Sequence, residues 1–236
     1  MDKKHLDTLK NLPTLLAKLR DLLTDFEFLR LKVETFGLSY SDFKTFDQIK
    51  SKLGIDVKSG GSLFENTKTV KASELLTNIL YENLSLALNI NTEKARSELI
   101  IAPVLVEVRK LLDRKISLFS GLEFNVDEKK GLNGFCDFIL SQSPDQIFLE
   151  FPVMCIVEAK NENLKSGYAQ CAAEMIASEI FNNKHSYPVK YILGVVTTGS
   201  NWKFLKLENG TVYIDFDEYL ISQIDQILGI IKTALD

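Results

Sequence analysis

An apolar run closes on a glutamate and a lysine at Cys155-Ile156-Val157-Glu158-Ala159-Lys160. Residues two apart on a strand share a face, so Glu158 and Lys160 project together. A buried, unpaired charge costs several kcal/mol, so the strand surfaces there or the charges have partners. Asp137, in GFCDF, lies 21 positions earlier, and the polar stretch SQSPDQ separates the two segments. A hairpin therefore brings Asp137 beside Glu158, in a register that the sequence alone leaves open. Two carboxylates held together repel, and one stays protonated unless a cation lies between them. Mg²⁺ suits such a place, since it takes one or two carboxylates and completes its shell with water and substrate phosphate; Mn²⁺ is a possible substitute. Lys160 would then lie beside the metal and a bound phosphate, where an ammonium orients water and stabilises developing negative charge. That is the chemistry of phosphodiester hydrolysis.

The elements that must position these groups are readable in outline. Leucines at helical spacing from Leu6 to Leu29 predict helix over 6–36, with Pro13 starting or kinking it. Further helices are predicted over 41–53, ended by Gly54, over 73–88, and over 92–112. The stretch DVKSGGSLFENTKT reads as a loop or linker, so residues 1–88 read as a helical N-terminal region without a strand. Strands follow at 119–126, 134–140 and 148–160, the last interrupted at Pro152. After them come a helix over 165–181, a strand over 189–199, a hairpin over 202–215 turning at Asn209-Gly210, and a helix over 217–234. The fold class is α/β, a mixed central β-sheet with helices on its faces. Residues 89–236 form the domain that carries the candidate site.

Asp137 followed by Glu158-Ala159-Lys160 resembles the D…ExK signature of the PD-(D/E)XK nuclease superfamily, and the order helix, three strands, helix, strand resembles that family's restriction endonuclease-like core. Glu98, in the helix before the first strand, sits where many members carry a glutamate that holds the metal through water. Gln170, in the helix after ExK, resembles the glutamine of RecB-like and restriction-type members; their QxxxY tyrosine is replaced by Glu174. The stretch GVVTTGSNWKFLKLENG is similar to the end of the nuclease domain in type I restriction motor subunits. The resemblance spans about residues 92–215. It implies a DNA-cleaving enzyme in which Asp137, Glu158, the Ala159 carbonyl and Glu98 serve the metal, while Lys160 and Gln170 serve the water and the scissile strand.

Composition limits the alternatives. The chain has 236 residues, 45% of them hydrophobic and 25% charged, and a net charge of −4. Residues 1–88 hold 13 basic against 12 acidic side chains, and residues 89–236 hold 15 against 20. No global basic field advertises polyanion binding, although a local groove can be positive on an acidic protein. Neither a membrane helix nor a signal peptide is visible, which predicts a cytoplasmic protein. Cys136, Cys155 and Cys171 read as reduced core thiols, with Cys136 and Cys155 alternating away from the carboxylates. His5 and His185 fit no ligand or triad pattern, which argues against histidine-dependent hydrolysis. Taken alone, Glu158 and Lys160 could be an exposed ion pair worth under about 1 kcal/mol. Trp202 reads as packing for the hairpin rather than a nucleic-acid contact. Two rivals stand beside the nuclease reading: a catalytically inactive nuclease fold that binds DNA or acts as a scaffold, and an adaptor role for the N-terminal helices through a protein partner or a second copy.

Overall fold

The computed structural model describes residues 16–25 and 37–236. Residues 16–25 are helical, with Leu16, Leu19, Leu22 and Leu23 exposed; the rest of the helix predicted over 6–36 lies outside the described residues. Four long helices and eight strands follow. In chain order they are β1 (Asp56–Ser59), α1 (Glu74–Ile90), α2, β2 (Ser117–Glu123), β3 (Phe135–Ser141), β4 (Val153–Ala159), α3 (Tyr168–Lys184), β5 (Ile192–Thr197), β6 (Asn201–Glu208), β7 (Thr211–Ile214), β8 (Tyr219–Leu220) and α4 (Ile224–Leu235). Helix α2 joins three abutting segments, Glu93–Arg96, a π-helical turn Ser97–Ile101, and Ala102–Leu111.

One mixed sheet runs in the order β1-β7-β6-β5-β4-β3-β2, with β8 paired to β6. The central β4 is antiparallel to β3 and parallel to β5, so α3 is the crossover between two parallel neighbours. Strands β4 and β5 are buried at every position, as expected for strands covered on both faces. One apolar core lies between the sheet and α1, α2 and α4, centred on Leu76, Ile100, Val104, Leu105, Trp202 and Ile231. The other lies under α3 and the segment 40–53, and includes Tyr40, Phe43, Ile49, Ile156, Cys171 and Met175.

Residues 40–90 enter these same cores. Tyr40 donates its hydroxyl to the Phe124 carbonyl at 2.7 Å, and Leu76 and Leu80 of α1 pack in the first core. Against the expectation of no strand before residue 88, Asp56–Ser59 pairs in parallel with β7 at the sheet edge. Strand β4 begins at Val153 rather than 148, after a cis peptide bond between Phe151 and Pro152. The last helix begins at Ile224, because Tyr219–Leu220 is taken by pairing with β6.

Two local features aim the site. Proline has no N–H to give the carbonyl four residues back, and its ring crowds that carbonyl. Pro103 would so orphan the Leu99 carbonyl, which instead accepts from Asn83 Nδ2 at 3.1 Å, while the helix widens into its π turn over Ser97–Ile101. Gly194 lets α3 approach the sheet: a Cβ there would collide with Met175 Sδ and lie 2.9 Å from Cys171 Sγ. Helix α3 is consequently buried on nearly all sides over 168–178, which its alanines permit and which also buries Gln170 and Glu174.

Candidate active site

The β3–β4 ladder ends on the pair of Phe138 with Val157, and Asp137 and Glu158 are the residues directly beyond it on the two strands. Asp137 Oδ2 accepts from the Ala159 amide N–H at 2.8 Å, which fixes the aspartate against the end of β4. Lys160 follows that strand directly. Its backbone N–H donates to the Thr197 carbonyl of β5 at 2.8 Å, and its Nζ is paired with Glu158 Oε1. Lys160 Nζ also donates to Gln170 Oε1 at 3.4 Å, and Gln170 Nε2 donates to Glu174 Oε1 at 3.1 Å. Gly167 makes room for this, since a Cβ there would sit 3.0 Å from Lys160 Cε and 2.7 Å from Val196 Cγ1. Asp137, Glu158, Ala159, Lys160 and Gln170 are thus brought together.

Glu98 is not among them. Its side chain is 64% exposed and pairs with Lys94 at 3.7 Å on the outer side of α2. The acid of α2 that feels the site is Glu93, one residue after the N-cap Thr92. Five helical residues rotate the side chain by about 140°, so Glu93 and Glu98 cannot share a face. The signal was present in Thr92, which marks the helix start and puts Glu93 in its first turn. Cys136 is a second correction. It is buried, as are Cys155 and Cys171, but it packs under α3 on the carboxylate side, where burial first, then Glu174 and Glu158, raise its thiol. The β2–β3 ladder skips the rung of Gly121 and Asp137, and Gly121 there has φ +61°, so simple alternation fails at this end of β3. Trp202 is fully buried and donates Nε1–H to the Gly199 carbonyl at 3.0 Å, as a packing residue.

The electrostatics are those of crowded acids. Glu158 is 1% exposed, and burial, then the Asp137 charge, push its carboxyl up to about 8 against the pull of Lys160. Burial also raises Asp137, with the Ala159 N–H and Lys160 pulling the other way. Glu93 is raised by burial and by Asp137, with Lys160 opposing. Burial lowers Lys160, but Glu158, Glu93 and Asp137 outweigh it, so its amine titrates above the ordinary 10.5. Glu174 is fully buried, and burial followed by Glu158 holds its carboxyl well above the usual range.

The donor set suits a hard divalent ion. Glu158 Oε2 and Glu174 Oε2 are buried without a hydrogen-bond partner, an arrangement a nearby cation or proton would relieve. Asp137, Glu158, Glu93 and the Ala159 carbonyl offer oxygen only. Among the described residues no three or more His, Cys, Asp or Glu side chains cluster as a ready-made metal site. Mg²⁺ does not require one, because water and phosphate fill most of its shell. No family model matches the chain, and no curated protein or solved structure is significantly similar to it. No helix of the described residues is long and apolar enough to cross a membrane.

Proposed function

We propose that the chain is a metal-dependent nuclease of the PD-(D/E)XK type that hydrolyses DNA phosphodiester bonds. One observation carries this reading: Asp137 and Glu158 meet on adjacent strand ends, with Lys160 and Gln170 joined to them and a buried Glu158 oxygen left without a donor. The succession of α2, three antiparallel strands, α3 and a strand parallel to β4 supports it, because it is the order the sequence resemblance implies.

In this reading Asp137, Glu158 and the Ala159 carbonyl hold Mg²⁺ or Mn²⁺, and Glu93 supports it through water in the role first given to Glu98. The bound ion would supply Lewis-acid activation and charge neutralisation at the phosphate. Lys160 stays an ammonium at neutral pH, so it acts as a donor that orients the attacking water and stabilises charge on the phosphoryl oxygens. It is not the base. Gln170 fixes the position of the Lys160 amine, and Glu174 fixes the orientation of the Gln170 amide, whose oxygen faces the lysine because its nitrogen is bound to Glu174. Plasmid, linear and single-stranded DNA incubated with Mg²⁺ or Mn²⁺ test the proposal. Metal-dependent cleavage by the wild type, reduced at least ~100-fold in Lys160→Ala, is expected; equal cleavage by both proteins would remove Lys160 from the mechanism.

A further inference from the structure

An open cavity of about 430 Å³ lies between α2, the segment after Lys160 and the turn after β5. Its wall takes Arg96 from α2, Asn161 and Lys165 from the segment after Lys160, Tyr168 from the start of α3, and Ser200 from the turn between β5 and β6. Arg96 is the unusual member. It is 8% exposed, yet among the described residues no carboxylate pairs with it. Nη1 donates to the Thr198 carbonyl at 2.7 Å and Nη2 donates to Asn91 Oδ1 at 2.9 Å, both neutral acceptors, while the Nε–H is buried without any acceptor. A guanidinium taken out of water without a counter-ion is costly, and an arriving anion relieves that cost.

The surroundings fit an anion too. Helix α3 begins at this cavity as the continuation of a 3-10 turn, Leu164–Gly167, which Asn163 caps by accepting from the Lys165 N–H at 3.0 Å. Lys165 adds a cation, and the Ser200 hydroxyl, which donates to Asn201 Oδ1 at 3.0 Å, adds a donor only if that bond is exchanged. Two acids share the wall and keep their charges, each oriented by an amide: Glu162 Oε1 accepts from Asn91 Nδ2 at 3.1 Å, and Glu218 Oε1 accepts from Asn201 Nδ2 at 2.6 Å.

The wall of the cavity is built from chain neighbours of the candidate active site. Asn161 directly follows Lys160, Tyr168 precedes Gln170 by two residues, and Arg96 stands three residues after Glu93 on α2. We infer that this cavity is a subsite for a second phosphate of the substrate strand, next to the one that is cut. The assignment to a strand rests on the nuclease reading; the anion site itself does not. Arginine matches a phosphate geometrically, and a flanking phosphate held there would fix the register of the strand over Asp137 and Glu158.

Inorganic phosphate titrated into the full chain without divalent metal, followed by amide NMR, tests the site. Saturable shifts are expected at residues 161–168 and 198–201. Arg96→Gln and the exposed Lys165→Glu should each weaken them by ~10-fold or more, as loss of a charge-assisted contact does, whereas Asp137→Asn should leave them in place. If Arg96→Gln fails to fold, Lys165→Glu decides alone. Absent shifts, or shifts untouched by Lys165→Glu, overturn the subsite. Phosphate binding without cleavage of any nucleic acid upholds the anion site and overturns its assignment to a strand. With an active enzyme, Lys165→Glu should lower kcat/KM by ~10-fold or more, and an unchanged kcat/KM overturns the assignment to a strand.

Discussion

Stability of the metal-free protein should fall as pH rises from 5 to 8, and Glu158→Gln should remove a defined part of that fall. Burial and Asp137 lift the Glu158 carboxyl from its ordinary 4.5 to about 8. Below 4.5 the folded and unfolded chains both hold this proton. Between the two values the folded chain keeps it while the unfolded chain has released it, and above the upper value both are ionised. Folding therefore binds a proton across that window, and unfolding free energy falls by up to about 1.4 kcal/mol per pH unit from this residue. Over the whole window the loss is roughly 5 kcal/mol at most. Asp137 and Glu174 shift in the same direction and steepen the decline. Glu158→Gln removes one titrating group, so the slope between pH 5.5 and 7.5 should become shallower by about 1 kcal/mol per unit. Urea denaturation followed by circular dichroism at half-unit intervals in EDTA measures this. Adding Mg²⁺ should flatten the wild-type curve, because a bound cation favours the ionised carboxylates. Stability that is level or rising from pH 5 to 8 in EDTA, or an unchanged slope in Glu158→Gln, would refute the reasoning.

Glu93→Ala should slow Mg²⁺-dependent cleavage by ~10-fold or more, in the range typical of groups that support metal ligands, while Glu98→Ala leaves the rate unchanged; single-turnover cleavage of labelled DNA compares them. Asn182 is buried and bonds both backbone groups of Val153, accepting from its N–H and donating to its carbonyl, each at 2.8 Å. Asn182→Leu orphans both groups at the start of β4 and should cost about 2–5 kcal/mol in urea denaturation. Asn83→Leu strips the Leu99 carbonyl of its donor beside Pro103 and should cost about 1–2 kcal/mol by the same measurement.

The carboxylate pair was legible because its signal is local. An apolar strand ending in Glu158 and Lys160, preceded by a short connection from the strand of Asp137, leaves few ways to pair except side by side. Helix α3 was equally legible from its alanines. Glu98 was misread for a reason of phase: Thr92 sets where the helix begins, and Pro103 with its π turn alters how it winds, so five residues of offset turn Glu98 away from the side on which Glu93 feels Asp137 and Lys160. Strand β1 was missed because DVKS has a single large apolar residue and its partner β7 lies more than 150 residues along the chain. Edge pairing of that kind leaves almost no periodicity to read. Helix α4 was placed too early because the two residues of β8 continue an apolar pattern that helix and strand share. Arg96 carried no sequence signal at all, since its burial depends on Asn91, Thr198 and the turn after β5 coming together.

Binding of Mn²⁺, followed by electron paramagnetic resonance at pH 8, asks most directly whether Asp137 and Glu158 share one cation. The wild type should take up tightly bound Mn²⁺ at this site, displaceable by Mg²⁺, and Asp137→Ala should lose it while keeping its circular dichroism spectrum. A wild type that leaves all Mn²⁺ free, or an Asp137→Ala variant that binds it equally well, would contradict the account.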